Sequence, residues 1–260
     1  MSDSEFNMID IRDVSYEYPT KAGALRVLDR ISLTIREGEF VSFIGPSGCG
    51  KSTLLALLAD LKSPQSGTLT IRSTQGRAIR QQNLYSIIFQ EVTLLDWLTV
   101  QQNIELPVTL NPALRYIDAK DMLEQVGLLP YRSLYPHQLS GGMKTRVSIA
   151  RALMANTPAL LIDECFASLD EVTREQMNLF LLKILGQIKR TVIFITHSIA
   201  EAAFMSDRVV VFSSKPSRVL ADIAIDIPRP RRLEDIENPD YTAYRKTLRT
   251  LLNQSAESQA

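Results

Sequence analysis

The sequence predicts an α/β fold in which helices cover both faces of a mixed, mainly parallel β-sheet. Apolar runs of four or five residues have the length and composition of buried strands, at 40–44, 159–162 and 191–195. Helical patterns lie between these runs, and parallel strands require such crossover connections. The chain has 260 residues, of which 45% are hydrophobic, and this is enough to build a sizeable core.

The first third of the chain is predicted to contain strands and one helix. Period-2 alternation and β-branched residues predict the strands, and a turn at Glu37 and Gly38 separates two of them. The predicted strands cover residues 8–14, 31–35, 40–44, 67–72 and 86–89. A helix is predicted over 51–59, directly after a glycine-rich segment.

The middle of the chain is predicted to be a helical insert, over residues 92–155. Within it, 118–126 is amphipathic and Gly127 is a plausible C-cap. Strands at 159–162, 191–195 and 208–212 then alternate with helices at 171–185 and 199–205. We therefore predict a main domain over residues 1–230. The charged, proline-rich tail over 231–260 is predicted to contain one short helix, at 241–252.

Charge, the length of the apolar runs and cysteine spacing argue against three classes: proteins that mainly bind nucleic acid, membrane-spanning proteins, and proteins held by disulfides or cysteine-bound metals. Lysine plus arginine and aspartate plus glutamate number 29 each, so there is no basic excess that would indicate nucleic acid as the main partner. No apolar run approaches the roughly 18 residues of a membrane-spanning helix. Cys49 and Cys165 lie far apart and show neither metal-ligand nor disulfide spacing, which is typical of a reducing cytosol.

A phosphate-binding pattern lies between a predicted strand and a predicted helix. It fits G-x-x-x-x-G-K-[ST] and consists of Gly45, Pro46, Ser47, Gly48, Cys49, Gly50, Lys51 and Ser52. The glycines let backbone N–H groups point at phosphate oxygens, and the helix adds its positive N-terminal end. Lys51 brings a charge to the outer phosphates, and the Ser52 hydroxyl is placed to coordinate Mg²⁺. The pattern predicts a P-loop NTPase core; a glycine-rich turn without a ligand is the alternative.

Two acids follow the predicted strand 159–162. In an open α/β sheet, functional groups gather at the carboxyl ends of strands, so Asp163 is suited to hold Mg²⁺ directly or through water. Glu164 points to the other side of the strand and is suited to orient or deprotonate an attacking water. Solvated acids at a strand end are the alternative, and the nearby phosphate loop argues against it.

The segment LSGGM is the motif that identifies which family the chain resembles. It follows the proline-rich YPHQ segment and precedes the amphipathic stretch TRVSIARALM. Together with the phosphate loop and the IDE segment, it resembles the signature of the ABC transporter ATPases, over roughly residues 8–230. The resemblance implies a RecA-like core, an N-terminal antiparallel β subdomain and an inserted helical subdomain at about 92–155.

The resemblance assigns roles to residues that the other motifs leave open. It implies that Tyr18 stacks on the adenine of ATP and that Thr53 belongs to the ATP site. Gln90 matches the glutamine that contacts Mg²⁺ and senses the nucleotide. His197 matches the switch histidine that donates a hydrogen bond to the terminal phosphate. A lone histidine is more often structural, so this role depends on the resemblance.

The resemblance also implies a mechanism that needs two copies. A second copy of the chain, or a paralogous subunit, faces the first head to tail, and the signature of each caps the ATP on the phosphate loop of the other. The signature consists of Leu139, Ser140, Gly141, Gly142 and Met143, and the loop that crosses the interface consists of Ser168, Leu169 and Asp170. ATP closes the pair and hydrolysis opens it.

Four segments narrow the resemblance to one branch of this family. FQEVTLLDWLTVQQNI, YPHQLSGGM, LDEVTREQ and RVVVFSSKPSRV look like the branch that imports nitrate, sulfonates, taurine and similar anions; related members import pyrimidine precursors. This implies a peripheral protein on the cytoplasmic face of the inner membrane, with a transmembrane permease and, indirectly, an extracytoplasmic solute-binding protein as partners. The segment around Trp97 would meet the permease; ordinary core packing of Trp97 is the alternative.

Both cysteines lie in functional segments. Cys49 is near a helix N-terminus, which can lower a thiol pKa, so we expect bulky thiol reagents to inactivate the enzyme and ATP to protect it. Cys165 stands where the family usually has proline. We expect the freer backbone behind Glu164 to slow hydrolysis slightly relative to a Cys165→Pro variant.

Two other classes of protein remain as alternatives. A soluble ABC ATPase that acts on DNA or the ribosome usually carries two cassettes or a long coiled-coil insert, and this sequence has neither. A kinase or GTPase with a phosphate loop lacks the LSGGM segment. The sequence does not encode the transported solute, which a separate binding protein selects in importers of this kind.

Overall fold

A computed structural model describes residues 7–21, 23–114, 116–188 and 190–257. The outer ends of the two predicted domains, residues 1 and 260, lie outside the described residues. The strands are β1 (Asn7–Thr20), β2 (Gly23–Arg36), β3 (Phe40–Ile44), β4 (Ser66–Ile71), β5 (Tyr85–Ile88), β6 (Ala159–Asp163), β7 (Thr191–Ile195), β8 (Arg208–Phe212) and β9 (Val219–Ala224). The helices are α1 (Lys51–Leu58), α2 (Arg77–Gln81), α3 (Val100–Leu110), α4 (Ala119–Gln125), α5 (Gly141–Met154), α6 (Glu171–Gln187), α7 (Ile199–Met205) and α8 (Pro239–Glu257).

The strands form two sheets within the described residues. The smaller sheet is antiparallel and has the order β2-β1-β4. The larger sheet has the order β5-β6-β7-β3-β8-β9, and all its strands are parallel except β9. The predicted α/β fold with a mixed, mainly parallel sheet and an antiparallel β unit is confirmed.

The topology of the large sheet brings four chain segments together. The carboxyl ends of parallel strands meet at one edge, so the segments that follow β6, β7, β3 and β8 lie side by side. These are the Asp163 segment, the His197 segment, the phosphate loop and the connection from β8 to β9. The fold thus collects residues that are distant in sequence.

Alternate residues of the central strand β3 support two cores, one on each face of the large sheet. Phe40 and Ile44 pack with α5, α6 and α7 on one face, and Val41 and Phe43 pack with α1 and the smaller sheet on the other. Every β3 residue is buried, as expected for a strand covered on both faces. The two cores fix the position of the phosphate loop, which leaves the sheet directly after β3.

Most predicted elements are present, and the differences lie mainly near the edges of the sheets. β1 and β2 are 14 residues each and form a long hairpin that the predicted strands 8–14 and 31–35 covered only in part. The five-residue helix α2 and the edge strand β9 were not predicted. The predicted division into a main domain, a helical insert and a tail stays a prediction.

No helix in the described part of the chain is long and apolar enough to cross a membrane. The C-terminal helix α8 has 19 residues and is longer than the predicted helix at 241–252. It packs against α7, β8 and β9. The tail is therefore part of the folded body of the protein.

Candidate functional site

A cavity of about 470 Å³ opens at the carboxyl edge of the large sheet. Its walls include several predicted site residues from the phosphate loop and the start of α1: Ser47, Gly48, Gly50, Lys51, Ser52 and Thr53. Tyr18, Gln90 and Glu164 line the same cavity. Residues from four separate parts of the sequence thus line one cavity.

The phosphate loop needs glycine at two positions. Gly48 and Gly50 have φ angles of 72° and 122°, in the region that side chains disfavour. A Cβ atom on Gly50 would lie 2.7 Å from Val27 Cγ1, so β2 closes against the loop. Lys51 is buried, and its Nζ donates to Gly45 O at 2.9 Å and Pro46 O at 3.2 Å. The loop therefore holds a buried cation, and α1 begins without a side-chain cap, as anion-binding helix N-termini do.

Two of the three predicted metal ligands, Ser52 and Asp163, are in contact. Ser52 Oγ donates to Asp163 Oδ1 at 3.3 Å, across 111 residues of sequence. Burial raises the pKa of the Asp163 carboxyl, while the hydrogen bond from Ser52 acts in the opposite direction. A cation bound by Ser52 and Asp163 would favour the ionised form of this carboxylate.

The residues fit a hard divalent cation such as Mg²⁺. Ser52, Gln90 and Asp163 offer a hydroxyl, an amide oxygen and one carboxylate, which are oxygen donors that Mg²⁺ prefers. Among the described residues, no group of three or more His, Cys, Asp and Glu side chains could hold a metal. The site therefore suits an ion that takes its remaining ligands from phosphate oxygens and water.

The backbone of Glu164 has a conformation that is uncommon for a residue other than glycine. Its φ angle is 42°, in the left-handed region, and its N–H donates to Ile195 O at 3.0 Å. Non-glycine residues in this region cluster at functional sites, where the surrounding structure holds them. His197 Nδ1 lies 3.3 Å from Glu164 Oε2, which is within hydrogen-bond range. The two predicted catalytic side chains are thus paired.

Tyr18 lies at the cavity wall and is held by three neighbours. Its hydroxyl is 3.2 Å from Thr53 Oγ1, and the centres of the Tyr18 and Tyr16 rings lie 5.0 Å apart in an edge-to-face arrangement. The Lys62 ammonium lies 4.8 Å from the centre of the Tyr18 ring, within cation–π range. Sequence reasoning missed Lys62, because the contact brings together residues from β1 and the loop after α1.

The signature lies outside this cavity. Ser140 caps α5, and its Oγ accepts a hydrogen bond from Met143 N at 3.3 Å. Leu139 is buried, whereas Ser140 and Gly141 are exposed at the helix N-terminus. The chain therefore presents the signature to its surroundings and not to its own phosphate loop.

The predicted interface loop lies beside the signature. Asp170 caps α6, and its Oδ1 accepts from Thr173 N at 2.9 Å. A hydrogen bond with the Thr173 side chain, and then this backbone hydrogen bond, lower the pKa of the Asp170 carboxyl. A Cβ atom on Gly142 would lie 3.5 Å from Thr173 Cγ2. Ser168 and Asp170 are exposed, and Leu169 is partly buried. The signature and this loop thus lie side by side, with Ser140, Gly141, Ser168 and Asp170 exposed.

A buried polar cluster lies behind the paired catalytic side chains and was not predicted. The Thr196 hydroxyl donates to a Glu201 carboxylate oxygen, and Arg174 Nε lies 3.8 Å from the other oxygen. Arg174 also donates from Nη2 to Leu169 O at 2.8 Å. Burial raises the pKa of the Glu201 carboxyl. The cluster connects the His197 segment to the predicted interface loop.

The expectation for Cys49 is wrong. Its side chain is 1% exposed and packs in the core under the phosphate loop, so a bulky reagent has no access to the thiol. Cys49 contributes its backbone to the loop and keeps its side chain away from the cavity. Cys165 is also buried, and burial raises its thiol pKa. The expected effect of Cys165→Pro stays a prediction.

Trp97 is 72% exposed, so core packing is excluded.

A separate groove of about 450 Å³ lies between β5 and the helices α3 and α5. Phe89 and Leu110 line it and are exposed large apolar residues. Exposed apolar groups of this kind mark interaction surfaces.

The sequence matches the family described as ABC transporter over residues 28–167, which is more than half of the chain. This range includes the phosphate loop, Gln90, the signature and the acids Asp163 and Glu164.

Individual relatives agree with the family match. The aliphatic sulfonates import ATP-binding protein SsuB of Bacillus cereus is 40% identical over 86% of this chain and 88% of its own length. The nitrate import ATP-binding protein NrtD of Synechocystis sp. is 36% identical over 94% of each chain. A dimeric ATP-binding cassette in a post-hydrolysis state, bound to ADP and Pi, superposes with a TM-score of 0.72 at 29% identity, over 85% of this chain and 100% of that chain.

Proposed function

The chain belongs to the ABC transporter family, as an ATP-binding subunit that hydrolyses ATP to drive import, and we propose how its residues carry out that task. The observation on which the proposal rests is that Lys51, Ser52 and Glu164 line one cavity and that Asp163 contacts Ser52 there. Two segments that lie 111 residues apart in sequence, the start of α1 and the end of β6, supply these groups, which a structural role alone does not require.

The phosphate loop binds the phosphates of ATP. Backbone N–H groups of the loop and the N-terminus of α1 face negative charge favourably, and Lys51 neutralises part of it. Ser52, Gln90 and Asp163 hold Mg²⁺, which supplies charge neutralisation on the phosphate oxygens when it is bound. Tyr18 stacks on the adenine ring from the side of β1.

Glu164 and His197 act on the attacking water. The Glu164 carboxylate lines the cavity and is suited to accept a proton from water as the new oxygen–phosphorus bond forms and the bond between the γ-phosphorus and the bridging oxygen of the leaving ADP breaks. His197 keeps this carboxylate in place through the 3.3 Å contact of its Nδ1. The left-handed conformation of Glu164 fixes the direction in which the carboxylate leaves the strand.

Two chains complete two sites. Ser140, Gly141 and the N-terminus of α5 are exposed and lie outside the cavity, so a second copy or a paralogous subunit supplies them to the terminal phosphate. Ser168 and Asp170 lie in the same exposed region and contact the partner. The dimeric cassette found among the solved structures supports this arrangement.

The transported solute is a small anion. The relatives named above carry the words sulfonates and nitrate in their names, and this chain resembles both over most of its length. The chain works as a peripheral protein on the cytoplasmic face of the inner membrane. The groove with Phe89 and Leu110 and the exposed Trp97 provide the surface for the permease, and a solute-binding protein delivers the anion outside.

The test compares Glu164→Gln with Lys51→Ala. We expect Glu164→Gln to slow ATP hydrolysis by about 10²- to 10⁴-fold while ATP binding persists, because the amide cannot accept the proton. Lys51→Ala should lose both binding and hydrolysis. The control is Glu124→Gln, which removes an exposed charge on α4. Hydrolysis is measured by phosphate release and binding by a fluorescent ATP analogue. A Glu164→Gln variant with the wild-type rate would contradict the assigned role.

A further inference from the structure

A lysine outside the predicted motifs lines the nucleotide cavity. Lys215 follows β8, in the segment that connects this strand to β9. Because β8 pairs in parallel with β3, its carboxyl end lies beside the phosphate loop. A Cβ atom on Gly48 would lie 3.8 Å from Lys215 Nζ. The Lys215 ammonium therefore lies against the loop that carries Lys51.

The backbone around this lysine is held in place on both sides. Ser217 N donates to Val27 O at 2.8 Å, and Asp29 N donates to Ser217 O at 3.0 Å, so the segment adds to the edge of β2. Ser214 Oγ donates to Ser255 O at 3.3 Å, which connects the segment to the end of α8. Ser214 and Ser217 are buried, whereas the lysine between them is exposed. Backbone hydrogen bonds thus hold the segment in place, and the charged side chain of Lys215 is exposed at the cavity wall.

The charge of Lys215 has no neutralising partner in the part of the chain that the structure describes. None of the ion pairs within 4.0 Å includes this side chain. A cleft with low-dielectric walls concentrates the field of such a charge and attracts an anion. The ammonium is a compact charge on a flexible stem, so it can follow phosphate oxygens.

We propose that Lys215 binds the phosphate chain of the nucleotide as a second cation beside Lys51. The inference rests on the proposed function, because it requires that this cavity holds ATP. The role is binding and positioning, and Lys215 takes no part in proton transfer.

The experiment measures the dissociation constants of ATP, ADP and AMP by displacement of a fluorescent ATP analogue. The variants are Lys215→Ala, Lys215→Glu and the charge-conserving Lys215→Arg, with Lys183→Glu on the exposed side of α6 as the matched control. We expect Lys215→Ala to weaken ATP binding by about three- to tenfold, which is typical of one lost charge-assisted contact. Lys215→Glu should weaken it further, and Lys215→Arg and Lys183→Glu should leave it near the wild-type value.

Two comparisons, among nucleotides with different numbers of phosphates and among salt concentrations, identify the group that Lys215 contacts. The loss should be larger for ATP and ADP than for AMP, and it should shrink as salt is raised, because salt screens exposed charges. Thermal melting and far-UV circular dichroism verify that each variant is folded.

The outcomes separate this inference from the proposed function. If wild type binds ATP and Lys51→Ala does not, but Lys215→Ala and Lys215→Glu both bind like wild type, the proposed function stands and the role of Lys215 is wrong. An equal loss for AMP and ATP would also overturn the assignment to the phosphate chain. If wild type itself fails to bind ATP, both proposals are wrong.

Discussion

At the residue scale, Glu164, which we propose as the catalytic base, depends on groups that do not line the cavity. Glu164 is held by the Ile195 carbonyl and by His197, and the residue between those two, Thr196, is 2% exposed. The Thr196 hydroxyl donates to Glu201 and accepts from Ser198 N at 3.0 Å. A buried carboxylate that loses its donor has a high free-energy cost, so this hydroxyl fixes the segment that carries His197.

Thr196→Val tests this dependence. Valine keeps the shape but removes the hydroxyl, so we expect the free energy of unfolding to fall by about 1–3 kcal/mol. We also expect kcat to fall by about three- to tenfold with little change in KM, because His197 and Glu164 lose their position while the ATP contacts remain. Urea unfolding and steady-state phosphate release measure the two effects.

Thr196→Ser is the control, since serine keeps the hydroxyl, and it should remain close to wild type in both measurements. If the valine and serine variants behave alike, the hydroxyl does not position the catalytic pair.

Single residues also show where sequence reasoning reaches its limit. Lys51, Asp163 and Glu164 follow buried strands in short motifs, so their convergence could be predicted from local patterns and the rule for parallel sheets. Lys215 also follows a strand of this edge, but its relevance depends on β8 pairing with β3, which no local pattern reveals. The expectation that Cys49 reacts with bulky thiol reagents was also wrong, because its side chain is buried in the core and no local pattern shows this.

At the scale of elements, the C-terminal segment anchors the helix that follows His197. Arg231 is buried, and its guanidinium donates to Phe204 O at 2.7 Å and Ile227 O at 3.2 Å, while burial lowers its pKa to about 10. Tyr241 is 2% exposed and donates to Ala200 O at 3.1 Å. The charged composition of the tail suggested an accessory helix, because composition does not show that an arginine can satisfy buried carbonyls.

The edge strand β9 was missed for a related reason, since its alternation stands next to the charged, proline-rich tail.

Tyr241 allows a quantitative test of this anchoring. We expect Tyr241→Ala to lower the free energy of unfolding by about 3–5 kcal/mol, since a large buried ring leaves a cavity. Tyr241→Phe removes only the hydroxyl and should cost about 0.5–1.5 kcal/mol. Both values come from urea unfolding followed by far-UV circular dichroism. A Tyr241→Ala variant as stable as wild type would show that α8 is a dispensable appendage.

At the scale of the whole molecule, we propose that one chain carries two incomplete halves of a site. The cavity with Lys51 lies at the sheet edge, and the exposed signature lies at the start of α5, outside that cavity. Two chains related by a two-fold axis would meet with the signature of each over the cavity of the other, which closes the assembly at two copies. The sequence predicted this arrangement through the family resemblance, because neither the motif spacing nor the fold of one chain specifies a partner.

Mixing two inactive variants tests the shared site directly. Lys51→Ala removes the cation of the phosphate loop and leaves the signature intact, whereas Ser140→Arg blocks the signature and leaves the loop intact. Each variant alone has only defective sites and should be inactive. A mixed pair contains one site with an intact loop and an intact signature, so an equal mixture should regain about a quarter of the wild-type ATPase rate if the chains pair at random. Phosphate release from the mixture, compared with each variant alone, measures the gain. An inactive mixture, or a Ser140→Arg variant with wild-type activity, would mean that each chain hydrolyses ATP without the signature of its partner.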